Sequence, residues 1–420
     1  MNLTDEEKKM LDGKEGSIVQ KAMEALVKIG EAFGAKKMIK AYSTHVYGFS
    51  TLSLMFSEDE IDELKRDVDA GLRVKCFTTT VLGGLDPNCS LAYGTPEWCD
   101  KALEGKPIYQ KMGIALTNTC APYIAGLIVP KHQPIAWCES SAWIFANSVF
   151  GATANRESTG AFFTALTGRL PEFGLHLMKN RLGTVLFDLN CDLKDHVDFG
   201  VLGYVVGKYV DRLWEVPVLN NVNGVTLEGL KNFSGAISSS GACAMFHMVG
   251  ITPEAHSLSQ AFGGTIPKEK IVITKKKLKE TYEMLSNAKE RDNSVDMVVL
   301  GCPHASIKEI IDIARLLEGK KIHENVILWV GTMPSVKVLA DELSVTKVIQ
   351  DAGGHVVNGC CQFVGMSGSD EDFPWTRSVK VVATDSPKVC HYAPAVANYR
   401  TWLGGVDKCI NAAITGKWEG

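Results

Sequence analysis

The sequence predicts an α/β protein built on mostly parallel sheets, and three observations carry that reading. Beyond about Lys268, apolar runs of strand length alternate with longer segments of helical apolar spacing. The joints between them are turn and cap residues, as in Gly301-Cys302-Pro303-His304 ahead of Ser306. At 420 residues and 45% hydrophobic, the chain is long enough to bury two or three cores.

Taken in order, Thr4 and Glu7 have the spacing of a capping box and predict a short helix ending near Gly13. Val19, Met23, Leu26, Val27 and Phe33 recur at helical spacing from Ser17 to Phe33. Ser57 with Glu60 predicts another capped helix, with Ile61, Leu64 and Val68 on one face and a stop at Gly71. Arg73 to Val81 reads as a strand, and Thr95-Pro96 opens a further helix. From Ile114 to Gly250 the apolar runs are broken by Gly, Ser, Thr and Asn, which suits backbone lying close to a ligand.

The later part is regular. Helices are expected at Lys275–Ala288, at Ile307–Leu317 capped by Ser306, and at Ser335–Ala340. Strands are expected at Val295–Leu300, Val326–Val330, Val356-Val357 and Val379–Ala383. Three regions follow: an N-terminal α/β part over 1–115, a central site region over 116–265, and a Rossmann-like part over 266–420. Ligands of open parallel sheets gather beyond the carboxyl ends of the strands. Cys302, Thr332, Thr384 to Lys388 and the Cys360-Cys361 pair all follow predicted strands and are expected to face one crevice.

Composition removes several function classes. A net charge of -4 gives no electrostatic reason to expect nucleic acid. Lys275, Lys276 and Lys277 are followed by Glu280 and Glu283, the pattern of a solvated helix face. The start, MNLTDEEKKM, lacks the basic and apolar character of a signal peptide. The uncharged stretch Met112 to Pro130 carries Thr117, Asn118, Thr119 and Tyr123, so a buried segment is expected and not a membrane span. A soluble, cytoplasmic protein is the expectation. Gly203 to Lys208 has too short a spacing for a phosphate loop, and HExxH, GxGxxG and GxSxG are absent.

Twelve cysteines without a secretory signal point to metal or redox chemistry, yet there is no CxxC pair. Any ligands must therefore come from separated segments. Three islands stand out. The first holds Thr119-Cys120-Ala121-Pro122-Tyr123, Cys138-Glu139-Ser140-Ser141, Phe145-Ala146-Asn147-Ser148 and Asn155-Arg156-Glu157. The second is Gly301-Cys302-Pro303-His304. The third is Gly354-His355-Val356-Val357-Asn358-Gly359-Cys360-Cys361, with Ser386-Pro387-Lys388 and His391-Tyr392 downstream.

On these islands and the LTDEEKKML start, the sequence resembles the large subunit of the aconitase X family over nearly its whole length. The resemblance implies an aconitase-like fold, with several α/β/α units around a central cleft. It implies an iron–sulfur cluster on Cys120, Cys302 and Cys361, with Cys360 the alternative third ligand, and a 4Fe–4S or 3Fe–4S form ahead of 2Fe–2S. It places Glu139, Ser140 and Ser141 in the catalytic pocket, where Glu139 or Ser140 is the proton acceptor. Gly48, Phe49 and Ser50 correspond to a substrate loop, and Arg156 and Arg169 read either as structural ion pairs or, one of them with Lys388, as holders of a carboxylate or phosphate. His304 and His391 read as hydrogen-bonded loop histidines and not as metal ligands; Cys76, Cys89, Cys99, Cys191, Cys243 and Cys409 read as core residues.

The implied reaction is loss of water from a 3-hydroxy acid. The first reading is (R)-5-phosphomevalonate giving trans-anhydromevalonate 5-phosphate, the second cis-3-hydroxy-L-proline or another 3-hydroxy acid. A reading of another class is a non-catalytic iron–sulfur scaffold or sensor. The chain departs from the family where Val81 replaces a polar asparagine and where Gly359-Cys360-Cys361 replaces Asp-Thr-Cys. The length implies the two-subunit form, with a separate small swivelling-domain partner.

Overall fold

Caps start the helices where the sequence places them. Thr4, Ser57 and Ser306 each accept from the backbone N–H three residues on, and Glu7, Glu60 and Glu309 reach back to complete capping boxes. The resulting helices are Asp5–Leu11, Glu58–Asp69 and Ile307–Leu317. In this computed structural model the described residues are 1–49, 56–81, 86, 88–92, 96–156, 160–210, 212, 214–288, 293–367 and 373–419.

Among them, three parallel sheets dominate. The first has the order β3-β2-β4, with β2 at Ser43–Val46 between β3 at Phe77–Thr80 and β4 at Ile135–Trp137. A small antiparallel pair, β1 at Met38–Lys40 with β5 at Arg169–Pro171, closes its flank. The second sheet has the order β8-β7-β6-β9, from β6 at Val185–Asn190, β7 at Pro217–Asn220, β8 at His247–Met248 and β9 at Glu269–Thr274. The third has the order β12-β11-β10-β13-β14. Its strands are β10 at Met297–Leu300, β11 at Ile327–Thr332, β12 at His355–Asn358, β13 at Val381–Thr384 and β14 at Arg400–Leu403.

Parallel strands buried on both faces are apolar throughout, which is why Met297–Leu300 is fully buried and legible as a run of Met, Val, Val and Leu. The sheets interleave along the chain. β4 lies beyond residue 115 yet pairs with β2, and β9 lies beyond 265 yet pairs with β6, so cuts at 115 and 265 cross sheets. β14 and the final helix, Val406–Thr415, were not anticipated.

The central stretch without a sequence assignment is helical and stranded. Gly203 and Gly207 lie within the helix His196–Tyr209, where a Cβ on either would meet the backbone of Phe233 or Ile237. These glycines let that helix pack closely on Leu227–Ser240, so they form no phosphate loop. One apolar cluster joins the second and third sheets through Phe199, Val201, Phe233, Val298 and Val330, while Val46, Leu64, Val81 and Tyr109 belong to a separate core under the first. Among the described residues no helix is long and apolar enough to cross a membrane.

Candidate active site

In each sheet the strand order reverses around a central strand, and a ligand crevice forms at the carboxyl ends beside such a reversal. In the third sheet the reversal lies between β10 and β13. Cys302 follows β10, and Ser386-Pro387-Lys388 follows β13. Gly301 makes the turn out of β10: its φ is +83, and a Cβ there would stand 2.1 Å from the Gly331 carbonyl oxygen. In the first sheet β2 ends before Tyr47-Gly48-Phe49, and β4 before Cys138-Glu139.

The two reversals face each other. Lys388 Nζ, on the first turn of the helix Pro387–Ala397, lies 2.7 Å from Glu139 Oε1 at the start of the helix Ser140–Phe145. Both side chains are largely buried. Burial works to raise the Glu139 pKa, but the Lys388 ammonium outweighs it and holds the carboxyl below the ordinary range. Burial likewise opposes charge on Lys388, and Glu139 more than restores it. Ser141 donates to Glu139 Oε1 at 3.1 Å and orients the carboxylate. Ser140 is half-buried, and its hydroxyl has no hydrogen-bond partner among the described residues.

Cys120 and Cys302 lie beside this ion pair, and Cys361 lies beside those two cysteines. Cys120 Sγ accepts the backbone N–H of His304 at 3.3 Å. Burial pushes the Cys120 thiol up to about 12, with Glu139 and Cys302 adding to the rise. Burial also raises Cys302, against the pull of Lys388. Cys361 is held well above the usual thiol value by burial and by its neighbours Cys302 and Cys120. Cys360 faces another way: the charged neighbours it feels are Asp86 and Cys89, and it packs in the apolar cluster with Val357 and Met366.

These donors suit a polynuclear metal group. The three buried thiols are mutual neighbours, and two of them lie beside a cation. Gln362 sits among them: its Oε1 accepts from Cys361 Sγ at 3.8 Å, its side chain is also a hydrogen-bonding neighbour of the Cys302 thiol, and its buried Nε2 reaches no acceptor at full hydrogen-bond geometry among the described residues. That orphaned N–H can serve a sulfur acceptor. Among the described residues no trio of His, Cys, Asp or Glu converges tightly enough for a single ion. A cluster, whose thiolates are spread over several irons, needs no such convergence.

Other expected residues have mixed placements. Gly48 and Phe49 line a cavity of about 310 Å³ shared with Thr80, Asn118 and Asn358, while Ser50 lies outside the described residues. Arg156 is exposed and without an ion-pair partner among the described residues. Arg169 is not brought to the pocket. Its guanidinium is held by Glu7 at 3.0 Å and Glu6 at 2.7 Å, so β5 is tied to the first helix. Glu7 and Glu6 lie 162 and 163 residues from Arg169 in sequence, so no local signal marks the pairing. His391 lies in a helix and bonds Tyr204 at 3.1 Å, whereas His304 is a hydrogen-bonded loop residue.

Several contributors went unread in the sequence. His45 bonds the Thr119 carbonyl at 2.9 Å, next to Cys120. Asp86 accepts from the Asn358 backbone and side chain, three residues before Cys361. His196, after β6, meets Asp385, after β13, at 2.9 Å and brings the second sheet to the same crevice. No motif announces these, although each lies at the carboxyl end of a strand or just beyond it.

Comparison with known proteins finds matches along nearly the whole chain. Models of the aconitase X first, second and third domains match residues 1–179, 183–283 and 295–415. The phosphomevalonate dehydratase large subunit of Thermococcus kodakarensis is 34% identical over 93% of this chain and 95% of its own. That of Methanocaldococcus jannaschii is 34% identical over 98% and 99%. The cis-3-hydroxy-L-proline dehydratase of Hypocrea jecorina is 31% identical over 100% of this chain and 70% of its own. The crystal structure of Thermococcus kodakaraensis aconitase X in its holo-form superposes with a TM-score of 0.84 at 33% identity, covering 98% of this chain and 100% of that one.

Proposed function

The chain belongs to the aconitase X family and is a hydro-lyase, and on that premise we propose that it removes water from a small 3-hydroxy acid at an iron–sulfur cluster held by Cys120, Cys302 and Cys361. The observation that carries this reading is the buried Glu139–Lys388 pair with Cys120 and Cys302 beside it and Cys361 beside those two thiols. When bound, the cluster would supply a Lewis-acidic iron for the departing hydroxyl.

The chain's own residues divide the remaining work. Lys388 is placed to bind the substrate carboxylate, and doing so weakens its hold on Glu139. A carboxylate freed from a cation becomes more basic, which favours removal of the proton beside the substrate carboxylate. Ser140, with its unpartnered hydroxyl, is the second candidate acceptor, and Ser141 is the residue that aims Glu139. Arg156, at the exposed margin, is the remaining arginine for a distal anion.

(R)-5-phosphomevalonate is the first substrate reading, supported by the names of several relatives that match nearly end to end. Their designation as large subunits supports a separate small-subunit partner. Cis-3-hydroxy-L-proline is the second reading, favoured by Val81: its side chain is buried in the first core with Val46 and offers no hydrogen bond to a substrate. Co-expression with a small subunit under anaerobic conditions tests the proposal through iron and sulfide content, EPR, and mass-spectrometric detection of water loss. A full chain free of iron would sink the cluster reading. A loaded protein inert on both acids would leave the non-catalytic scaffold or sensor in its place.

A further inference from the structure

The three thiols come from segments that share no strand, so something must fix their spacing. We propose that His304 is the positioning residue that does so, one imidazole tying together the segments bearing Cys120, Cys302 and Cys361; its purpose rests on the cluster reading above. The geometry is closed on every side. His304 lies two residues after Cys302, and its backbone N–H donates to Cys120 Sγ at 3.3 Å. Its Nε2 lies 3.1 Å from the Cys360 carbonyl oxygen, one residue before Cys361. Its Nδ1 lies 3.1 Å from Thr119 Oγ1, one residue before Cys120.

Donor and acceptor rules fix the roles. A carbonyl oxygen only accepts, so Nε2 carries the proton and Nδ1 accepts from the Thr119 hydroxyl. Thr119 Oγ1 in turn accepts the Ala121 N–H at 3.0 Å. The Thr119 carbonyl accepts from His45 Nε2 at 2.9 Å, and His45 Nδ1 pairs with Thr79 Oγ1 at 2.7 Å. A continuous hydrogen-bonded strut thus runs from β3 and β2 through Thr119 and His304 to the segment after β12. The His304 loop is itself anchored, since Lys231 donates to the His304 carbonyl at 3.0 Å and Thr332 to that of Ala305 at 2.9 Å. Neither ring nitrogen of His304 is left to bind a metal.

The test uses the full chain, purified anaerobically and stripped of iron, with thiol alkylation rates read residue by residue by mass spectrometry. His304→Phe keeps a ring but loses both side-chain bonds, Thr119→Val removes only the hydroxyl, and Thr119→Ser retains it. Alkylation of Cys120 and Cys361 is expected to rise about fivefold or more in the first two, the scale of one lost buried hydrogen bond. Thr119→Ser should restore wild-type rates, and the fully buried Cys409 should stay unchanged throughout. Unaltered rates at Cys120 and Cys361, or an equal rise at Cys409, would overturn the proposal. If His304→Phe does not fold, the Thr119 pair decides alone. Iron uptake by the wild type is measured in parallel: its failure strikes the cluster reading, while the alkylation pattern still judges the positioning role.

Discussion

Lys388 and Glu139, 249 residues apart in sequence, form a 2.7 Å ion pair where the first and third sheets point their carboxyl ends at each other. Removing one partner leaves an uncompensated buried charge. Lys388→Met is therefore expected to destabilise the protein by about 3–5 kcal/mol in denaturant unfolding and to abolish turnover. The double variant Lys388→Met with Glu139→Gln should recover most of the stability and none of the activity. Recovery of neither would mean the pair has no independent energetic role.

Cys360 and Cys361 make opposite predictions. Cys361→Ser should lose cluster iron and its visible absorbance, because Cys361 is the member of the pair that neighbours Cys302 and Cys120. Cys360→Ser should load normally, with at most a modest packing cost. The reverse result would reassign the third ligand.

Arg169 is expected to matter for stability and not for substrate binding. Arg169→Met strands the nearly buried Glu7 carboxylate and should cost about 3–5 kcal/mol. The variant, assayed below its unfolding temperature, should keep a wild-type KM. A raised KM would return Arg169 to the substrate site.

Acid should weaken the fold in a defined window. Burial lowers His45 to about 4 and His176 to about 3, both from 6.5. Each is neutral when folded and gains a proton on unfolding, so the unfolded state binds more protons between those values. Stability should fall as pH drops below about 6.5 and finish falling below about 3, by on the order of 3 kcal/mol for His45 and about 5 kcal/mol for His176. Denaturation midpoints across this range check it, and His176→Gln should flatten its share of the slope.

Gly301→Ala tests the turn that delivers Cys302. An added methyl would lie 2.1 Å from a backbone oxygen, at a φ that L-residues rarely adopt. The substitution is expected to cost more than about 1 kcal/mol and to lower iron loading, both measurable on one purified sample.

The sequence was most readable where backbone chemistry is local. Ser306 and Glu309 announce their helix because a capping box is complete within four residues, and Met297–Leu300 announces its strand because both faces are buried. The middle resisted because its helices are buried almost all round: His196–Tyr209 and Leu227–Ser240 show little polar face to set a period. Residues inside distinctive islands, including Glu139 and Lys388, could be singled out from the sequence alone, and the fold brings these two together. Those acting across the fold from outside the islands could not. Nothing near His45 or Asp86 foretells that one braces Thr119 and the other Asn358, and the choice between ion pair and substrate cation for Arg169 stayed open because Glu6 and Glu7 lie so far upstream. The change to Gly359 is reasonable in retrospect, since that residue adopts a φ of +65.

The separation of Glu139 from Lys388 also has a meaning in time. A ribosome adding 5–20 residues per second takes roughly 12 to 50 s to pass from one to the other. Through that interval the nascent chain carries Glu139 without the Lys388 ammonium that pairs with it in the folded protein. The first sheet can form early, but its side of the pocket cannot be dry or charge-balanced until the third is almost complete. Assembly of the reactive centre is thus a late event of biosynthesis, set by the order in which the chain emerges.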